Sequence, residues 1–223
     1  VIQIEGLTTM PTLSINRQFT APIIVDYEQS EEALINQLEN DDDAFNRWDA
    51  SQKICTALIL SGRSPSDRLM NIFKHLLTNS ALDCEYRSLI LTVPNEATLI
   101  QGLDTVDPIK LSLDRRAFIH CIASHCEEQL LSLFSSLQTS GPYSLEPLAM
   151  GRRALKNFCL GMLIDFNSEK YDSLGSEQYT NANNYTDRLF ALWSLTLFSA
   201  PSAKVCLRDF YERHQEEPAV LDG

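Results

Sequence analysis

The feature that most constrains the fold is a change of pattern near residue 28. Before it, residues 1–4 and 19–27 are rich in β-branched and aromatic side chains, which is typical of strands, and residues 14–16 alternate polar and apolar. After it, helix start and stop signals recur to the end of the chain. Because two or three short strands make no stable sheet alone, the first segment needs strand partners that this chain does not contain.

Capping residues divide the second segment into helices. Ser30 is predicted to cap a first helix that has acidic residues in its first turn, and Asp42 or Asp43 a second that ends at Gly62. Further starts are expected at Ser64-Pro65 and at Asp107-Pro108, the latter opening a helix to about residue 138. The remaining helices are expected over 147–166, 177–181, 186–199 and 203–217. Helices of this length with short links predict a mainly α fold, a superhelix of stacked antiparallel helices after the terminal strands.

Charge and composition exclude several classes of protein. The chain of 223 residues has 30 acidic and 18 basic residues, a net charge of −12, which argues against nucleic acid and anionic membranes as partners. A hydrophobic fraction of 44% excludes wholesale disorder, and the scarcity of Gly, at 8 residues, favours helices. The most apolar uncharged stretch, 189–203, is shorter than the ~20 residues of a membrane span. Because neither terminus has the character of a natural end, we expect a piece of a longer protein.

The six cysteines could form three disulfides, but free buried thiols are favoured, because most of the cysteines fall inside apolar helical patterns. Reduced thiols and the lack of a targeting signal predict a cytoplasmic location.

The densest group of metal-ligand types is the run from His120 to Cys126. On a helix only Cys121 and His125, four residues apart, share a face, whereas structural zinc needs four converging ligands. Cys126 instead continues an apolar stripe formed by Ile119, Ile122, Leu130, Leu133 and Leu137. A core cysteine beside surface histidines is therefore favoured, and a metal-binding helix bundle that uses Cys121 and His125 is a weaker hypothesis.

Familiar catalytic patterns are absent from the sequence: it contains no H-E-x-x-H, no G-x-S-x-G, no P-loop and no G-x-G-x-x-G. Residues 26–43 hold eight acids without a basic residue. They lack the alternation and the Gly of a calcium loop, so a solvated face with first-turn caps is favoured over a cation site.

Two polar–aromatic clusters stand out. The first, residues 45–52, contains Arg47, Trp48 and Asp49; helical spacing predicts a buried Trp48 packed with Phe45. The second, residues 182–187, has consecutive Asn residues that suit a turn with positive φ, followed by a helix capped by Asn184 or Thr186. Architecture is favoured over an active site for both. As domain-packing or channel candidates they supply Arg47, Trp48, Asp49, Asn183, Asn184, Tyr185, Thr186 and Asp187.

At these clusters the chain resembles the C-terminal part of bacterial aminopeptidase N (alanyl aminopeptidase), a family of zinc exopeptidases. The segments that carry the resemblance, in the family's order, are residues 17–22 (RQFTAP), 46–52 (NRWDASQ), 91–96 (LTVPNE), 106–109 (VDPI), 153–160 (RALKNFCL) and 182–187 (ANNYTD). Thr20 and Tyr185 depart from the family's usual Ser and Met. Because the segments span nearly the whole chain, the resemblance is specific.

The resemblance implies that residues 1–28 are the last strands of a β-sandwich domain. It implies that residues 29–223 are an α-helical C-terminal domain, truncated at its end, that caps the active site of the parent enzyme and packs against its catalytic domain. The parent's peptide substrates would lose N-terminal residues, with Ala-like and basic side chains expected. The family's zinc motif and its G-x-M-E-N segment lie in the preceding domain, so this chain is expected to hold no catalytic, cofactor or metal residues and to show no hydrolysis alone.

A different class of function stays open from the sequence: a free-standing helical-repeat module that binds other proteins through a concave face. The strand-like segment 1–27 is expected to pair with another copy, to pack on the helices, or to be disordered.

Overall fold

The computed structural model describes residues 5, 6, 8, 11–23, 25, 27–101, 103–138 and 141–221. Within these residues the chain is helical. A 3-10 turn, Arg17–Phe19, precedes the α-helices. They are α1 (Glu31–Asn40), α2 (Ala44–Ser61), α3 (Asp67–Thr78), α4 (Cys84–Leu91), α5 (Glu96–Leu99), α6 (Pro108–Ser136), α7 (Pro147–Phe166), α8 (Asp172–Asn181), α9 (Tyr185–Leu197), α10 (Ala203–His214) and α11 (Pro218–Leu221). The predicted mainly α fold is confirmed.

The chain divides into two compact units. The first consists of Val1–Pro65 with Val93–Asp114 and is built on α1 packed against α2, with the 3-10 turn lying on α2. Its core includes Leu38, Ile54 and Leu58, each at most 1% exposed. Burial of such aliphatic side chains is the main source of stability for a helix pair.

The second unit consists of Ser66–Thr92 with Arg115–Gly223. Here α3 packs on α4, α4 on α7, α7 on α9, α8 on α9, and α10 on both α8 and α9. This chain of overlapping helix pairs is the arrangement of helical-repeat proteins, in which each pair buries its apolar face against its neighbours. Phe73, Leu130, Leu163 and Leu195 lie at the centre of the unit.

Local capping chemistry places the helix ends largely as expected. The hydroxyl of Ser30 accepts the N–H of Ala33, and a carboxylate oxygen of Asp43 accepts the N–H of Asn46. Gly62 has φ 64°, and bonds from the N–H groups of Gly62 and Arg63 to the carbonyls of Ile59 and Leu58 close the end of α2. That left-handed closure explains the glycine, because other residues are strained at such a φ.

Two predicted helix starts are wrong. The third helix is capped by Ser66 rather than by Ser64, since the Ser66 hydroxyl accepts the N–H of Leu69 and the helix begins at Asp67. The helix expected over 177–181 begins five residues earlier, at Asp172. The sequence does not indicate this earlier start, because Gly175 is unfavourable inside a helix. A Cβ there would lie 2.7 Å from Cδ2 of Leu195, so the close approach of α9 requires a glycine inside α8.

The strands predicted over residues 14–16 and 19–27 are wrong for the residues that the structure describes, which form a 3-10 turn and irregular chain. A strand needs a partner to pair its N–H and C=O groups, and the described part of the chain supplies none. The segment packs on a helix instead, with the rings of Phe19 and Phe45 4.9 Å apart. Residues 1–4, 24 and 26 lie outside the described residues, and the assignment of residues 1–28 to a β-sandwich domain stays a prediction.

All six cysteines lie in the described part of the chain and are free. Cys55, Cys126, Cys159 and Cys206 are buried and Cys84 is half-buried, whereas Cys121 is exposed, so the predicted burial is wrong for Cys121. Burial disfavours the thiolate, so it raises the pKa of Cys55 and Cys159 to about 12 and that of Cys126 to about 11.

Thiol reactivity should therefore separate the cysteines sharply. The thiolate is the reactive form. At pH 8 Cys121 of the native chain should therefore attack the disulfide of Ellman's reagent rapidly, forming a mixed disulfide and releasing thionitrobenzoate, while Cys55, Cys126 and Cys159 react only on unfolding. A Cys121→Ser variant should lose the fast phase. A fast phase that persists in this variant at the same amplitude would contradict the burial described here.

No helix in the described ranges combines the length and the apolarity that crossing a membrane requires.

Candidate functional site

The most constrained polar cluster surrounds Asp187 in the first turn of α9. The Nζ of Lys156, on α7, lies 2.6 Å from Asp187 Oδ2, and Asn157 Nδ2 donates to Asp187 Oδ1 at 3.0 Å. Gln178, on α8, donates through Nε2 to Asn157 Oδ1 at 2.8 Å and to the Asp187 carbonyl at 3.1 Å. Three helices therefore meet at Asp187: α7 bonds its carboxylate and α8 bonds its main-chain carbonyl.

The two charged side chains of this cluster are buried. The side chains of Lys156 and Asp187 are only 6% and 5% exposed. Taking either charge out of water alone would be costly, so each holds the other in place. Three residues of the cluster, Lys156, Gln178 and Asp187, also line a cleft of about 560 Å³, together with residues of α6, α8 and the link to α9.

Of the five candidates from residues 182–187, Asp187 is the centre of this cluster and Asn184 bonds to it directly. Asn184 caps α9 through Oδ1, which accepts the Asp187 N–H at 2.9 Å, and its Nδ2 donates to Asp187 Oδ2. Its φ is −145°, so the expected positive φ is wrong there: a capping residue needs extended backbone. Asn183 donates to the Gly141 carbonyl, and the exposed Tyr185 donates its hydroxyl to the Val220 carbonyl. Thr186 is exposed on the helix surface.

The candidates of the first polar–aromatic cluster lie on α2 in the first unit, and their contacts are within α2 or between α1 and α2. They are Arg47, Trp48 and Asp49. Arg47 Nε donates to the carbonyl of Leu38 at 3.0 Å, and Asp49 pairs with Lys53 one turn later at 2.7 Å. Trp48 packs beside Phe45 with ring centroids 5.7 Å apart but is only half-buried, so its predicted full burial is wrong. These contacts are architectural, and whether any candidate faces a channel stays a prediction.

A second polar cluster, which we call the N-terminal clasp, comprises Arg17, Gln18, Asp41, Asp42 and Asp43. The Arg17 guanidinium pairs with Asp42 and, at 3.2 Å, with Asp41. The backbone N–H of Gln18 donates to Asp43 Oδ2 at 2.7 Å. The acidic run therefore binds the N-terminal segment in addition to capping a helix.

The backbone of the N-terminal segment that the clasp holds is strained. Asn16, Gln18 and Phe19 have φ of 53°, 57° and 48°. Non-glycine residues adopt the left-handed region only when their surroundings hold them there. Asn16 provides part of this restraint, since its side chain bonds both the N–H and the carbonyl of Ala21.

The clasp should show in the titration of Asp42. The hydrogen bond from Arg17 and its positive charge hold the pKa of Asp42 below its ordinary value of 3.8. A lowered carboxyl pKa means that the contact is complete at neutral pH and is lost as the pH falls through that lower value. We expect the Asp42 carboxyl carbon, followed by NMR, to titrate below 3.8 and to return toward it in Arg17→Gln. An unchanged midpoint in the variant would contradict the clasp.

The sequence run with metal-ligand types does not converge. Cys121 and His125 are both exposed, and His120 turns to α7, with Nε2 2.9 Å from the carbonyl of Asp165. Among the residues described, no three His, Cys, Asp or Glu side chains are grouped so as to hold a metal ion. Since zinc sites use three or four converging ligands, the side chains described here do not fit a zinc site.

Sequence reasoning missed Lys156, Asn157 and Gln178 as partners of Asp187. Lys156 and Asn157 stood inside one of the segments that carry the family resemblance, and Asp187 closed another. The two segments meet in space through Asp187. The signal available in the sequence was that Lys156, Asn157 and Asp187 stand in segments of the family resemblance. Nothing in the sequence distinguished Gln178.

Comparison with known proteins confirms the resemblance. A family described as "Domain of unknown function (DUF3458_C) ARM repeats" matches residues 31–223. The chain is similar to proteins named aminopeptidase N. It is 27% identical to that of Haemophilus influenzae over 235 residues, covering 100% of this chain and 26% of the relative. It is 28% identical to that of Caulobacter vibrioides over 225 residues, covering 98% and 26%. It is 24% identical to that of Escherichia coli K12 over 227 residues, covering 98% and 26%.

Among solved structures, the fold is similar to that of Legionella pneumophila aminopeptidase A, crystallised in complex with aspartic acid. The TM-score is 0.86 at 27% sequence identity, and the match covers 99% of this chain and 27% of that chain. The chain thus spans about a quarter of the length of the relatives and of the structure that it matches.

Proposed function

The chain belongs to the DUF3458_C family of ARM-repeat domains, and from that membership we propose that it is the helical domain that caps the active site of a zinc aminopeptidase. The observation that carries the proposal is the match of nearly the whole chain to about a quarter of proteins named aminopeptidase N. In the proposed parent, a separate catalytic domain holds the zinc and removes N-terminal residues from peptides. This chain contributes shape, access control and domain packing.

An apolar surface on the first unit supports the packing role. Ile15, Phe19, Ile23 and Tyr27 are between 38% and 54% exposed, and they border a cleft of about 280 Å³. Apolar patches of this kind usually mark a contact with another protein surface. We propose that this N-terminal apolar surface packs against the remainder of the parent enzyme.

Support for a cytoplasmic location comes from the six free thiols, which persist in a reducing compartment. This location is part of the proposal.

The gene provides the simplest test between this function and a free-standing adaptor. The reading frame upstream of Val1 should encode an H-E-x-x-H and a G-x-M-E-N in the same protein. A start codon at this point, with neither motif upstream, would make the chain an adaptor and would refute the proposal.

A biochemical test measures association and activity separately. The upstream part of the gene product and this chain would be expressed apart, mixed, and assayed with an alanine chromogenic amide. We expect no turnover by this chain alone, with or without added zinc, and association of the two parts.

Matched variants localise that association. Ile23→Asp places a charge on the N-terminal apolar surface and should weaken association, whereas Thr20→Asp places the same charge at a nearby exposed polar position and should not. Turnover by the chain alone would contradict the proposal that hydrolysis requires a separate catalytic domain. Unchanged association of Ile23→Asp would contradict the packing surface.

A further inference from the structure

Exposed apolar side chains gather where α7 begins, in the second unit. Tyr143 is 48% exposed, Leu145 71%, Leu148 67% and Met150 45%. All four stand in residues 143–150, which comprise the irregular segment before α7 and the beginning of that helix, so they share one region of the surface. Exposed apolar side chains that cluster in this way usually mark a contact with another protein surface.

An arginine is held in place beside these side chains. The guanidinium carbon of Arg153 lies 4.7 Å from the centroid of the Tyr143 ring. This cation–π contact orients the planar guanidinium and leaves its N–H groups, which point outward within the plane, available to another group. Met150 precedes Arg153 by three residues on α7 and so lies on the same face of the helix. The surface formed by Tyr143, Leu145, Leu148, Met150 and Arg153 is called the Tyr143 patch below.

The positive charge at the Tyr143 patch has no counter-charge in the described part of the chain. Neither Arg153 nor its neighbour Arg152 forms an ion pair with a described carboxylate, although the chain has 30 acidic and 18 basic residues. Arg152 makes only a long hydrogen bond, from Nη2 to the carbonyl of Ser136 at 3.5 Å. Glu146, just before α7, pairs with neither arginine. The patch therefore combines apolar surface with an oriented and unpaired guanidinium.

That combination selects the chemistry of a partner. A carboxylate can accept two parallel hydrogen bonds from the edge of a guanidinium, whereas an ammonium group would be repelled by it. Nucleic acid and anionic membranes are disfavoured by the net charge of −12. The exposed Leu145 and Leu148 require an apolar side chain next to the carboxylate. A protein segment that carries an Asp or Glu beside an apolar residue meets both requirements.

The size of the Tyr143 patch indicates where such a segment comes from. Even a large aromatic side chain buries only ~150–250 Å², so four partly exposed side chains fall short of the ~800 Å² per partner of a standard interface. A contact this small does not hold two separate proteins together. It suffices within one polypeptide, because covalent linkage raises the effective concentration of the two surfaces to the millimolar range.

We propose that the Tyr143 patch docks an acidic segment of the remainder of the parent enzyme, with a carboxylate on Arg153 and an apolar side chain against Leu145 and Leu148. The inference rests on the proposed function, since it requires a parent. It adds to that function a second contact surface, which lies on the second unit and has a stated chemistry. The N-terminal apolar surface, in contrast, contains no charged residue.

Hydrogen exchange followed by mass spectrometry tests the docking in the whole parent enzyme and in this chain alone. The measured quantity is the ratio of the exchange rate in this chain to that in the parent, for fragments covering residues 142–149 and 13–23. We expect exchange of residues 142–149 to be about tenfold slower in the parent, because docking restricts local opening. The ratio should fall when NaCl is raised to 1 M, since salt screens a partly exposed ion pair.

Two charge reversals locate the contact. Arg153→Glu should lower the ratio for residues 142–149 to about one, because the carboxylate of the partner is then repelled. Arg208→Glu makes the same change of net charge at an exposed arginine on α10 and should leave the ratio unchanged. Each variant is measured both in the parent and in this chain, so a local disturbance of the segment before α7 cancels in the ratio.

The outcomes separate this inference from the proposed function. Protection of residues 13–23 in the parent without protection of residues 142–149 would overturn the inference and leave the proposed function standing, whereas protection of neither would count against both. An unchanged ratio in Arg153→Glu, or an equal loss in Arg208→Glu, would overturn the assigned ion pair. Protection of residues 142–149 in this chain alone that grows with its concentration would indicate a second copy as the occupant and would also overturn the proposal.

Discussion

Replacement of Asp187 by Ala should destabilise the chain by about 3–5 kcal/mol, because it leaves the Lys156 ammonium buried without its counter-charge. Both side chains are at most 6% exposed and their charged atoms lie 2.6 Å apart. Asn157 and Asn184 would lose an acceptor as well. Urea unfolding followed by circular dichroism measures the change in the free energy of unfolding.

A pair of controls distinguishes a buried ion pair from a general loss of contacts. Asp49→Ala breaks a Lys–Asp pair of nearly equal length, 2.7 Å to Lys53, whose side chains are 43% and 33% exposed for Lys53 and Asp49. Solvent screens that pair, so its loss should cost less than about 1 kcal/mol. The double variant Lys156→Met/Asp187→Leu should be more stable than Asp187→Ala, because no unpaired charge stays buried. Equal losses for Asp187→Ala and Asp49→Ala would refute the importance assigned to burial.

Replacement of Phe73 by Ala is the second large effect that we expect, about 3–5 kcal/mol. Phe73 lies on α3 at 2% exposure among the largest fully buried side chains of the chain. Trp48, which the sequence had marked for burial, is half-buried beside Phe45. Its replacement by Ala should therefore cost only about 1–2 kcal/mol, in proportion to the smaller apolar area removed from contact.

Thermal or urea unfolding of the two variants gives a direct ranking. Comparable m-values are needed, so that the difference reflects the native state rather than a change in the unfolded chain. A larger loss for Trp48→Ala than for Phe73→Ala would show that the α1–α2 pair buries Trp48 more deeply than the structure indicates.

Where helix ends depended on neighbouring residues, the sequence predicted them well. Ser30 and Asp43 cap through side chains that reach an N–H three residues later, and Gly62 closes α2 through its own backbone freedom. These interactions join residues within one helical turn, so neighbouring residues in the sequence are enough to predict them. Gly175 shows the limit of that reasoning, since the reason for a glycine inside α8 is Leu195, on the next helix.

For the described residues of 14–16 and 19–27, the strand prediction was wrong for a related reason. Local composition favours extended chain there, but a strand forms only when another strand pairs with it. In its place the described chain uses Arg17 and Phe19 as contacts to α2 and to the acidic residues before it. The β propensity of its residues distinguished this segment from the helical part of the chain but did not specify its conformation.

What the sequence by itself determined was the helical class, the capped ends of most helices and the family, because capping, periodicity and short motifs are local properties of the chain. Only the tertiary structure decided that Asp187 is a buried anchor, that Lys156, Asn157 and Gln178 surround it, and that a cleft opens above them. These residues stand up to 31 positions apart and on three helices. Their meeting depends on how the helices pack, since desolvation and complementary hydrogen bonding act between groups that are neighbours only in the folded chain.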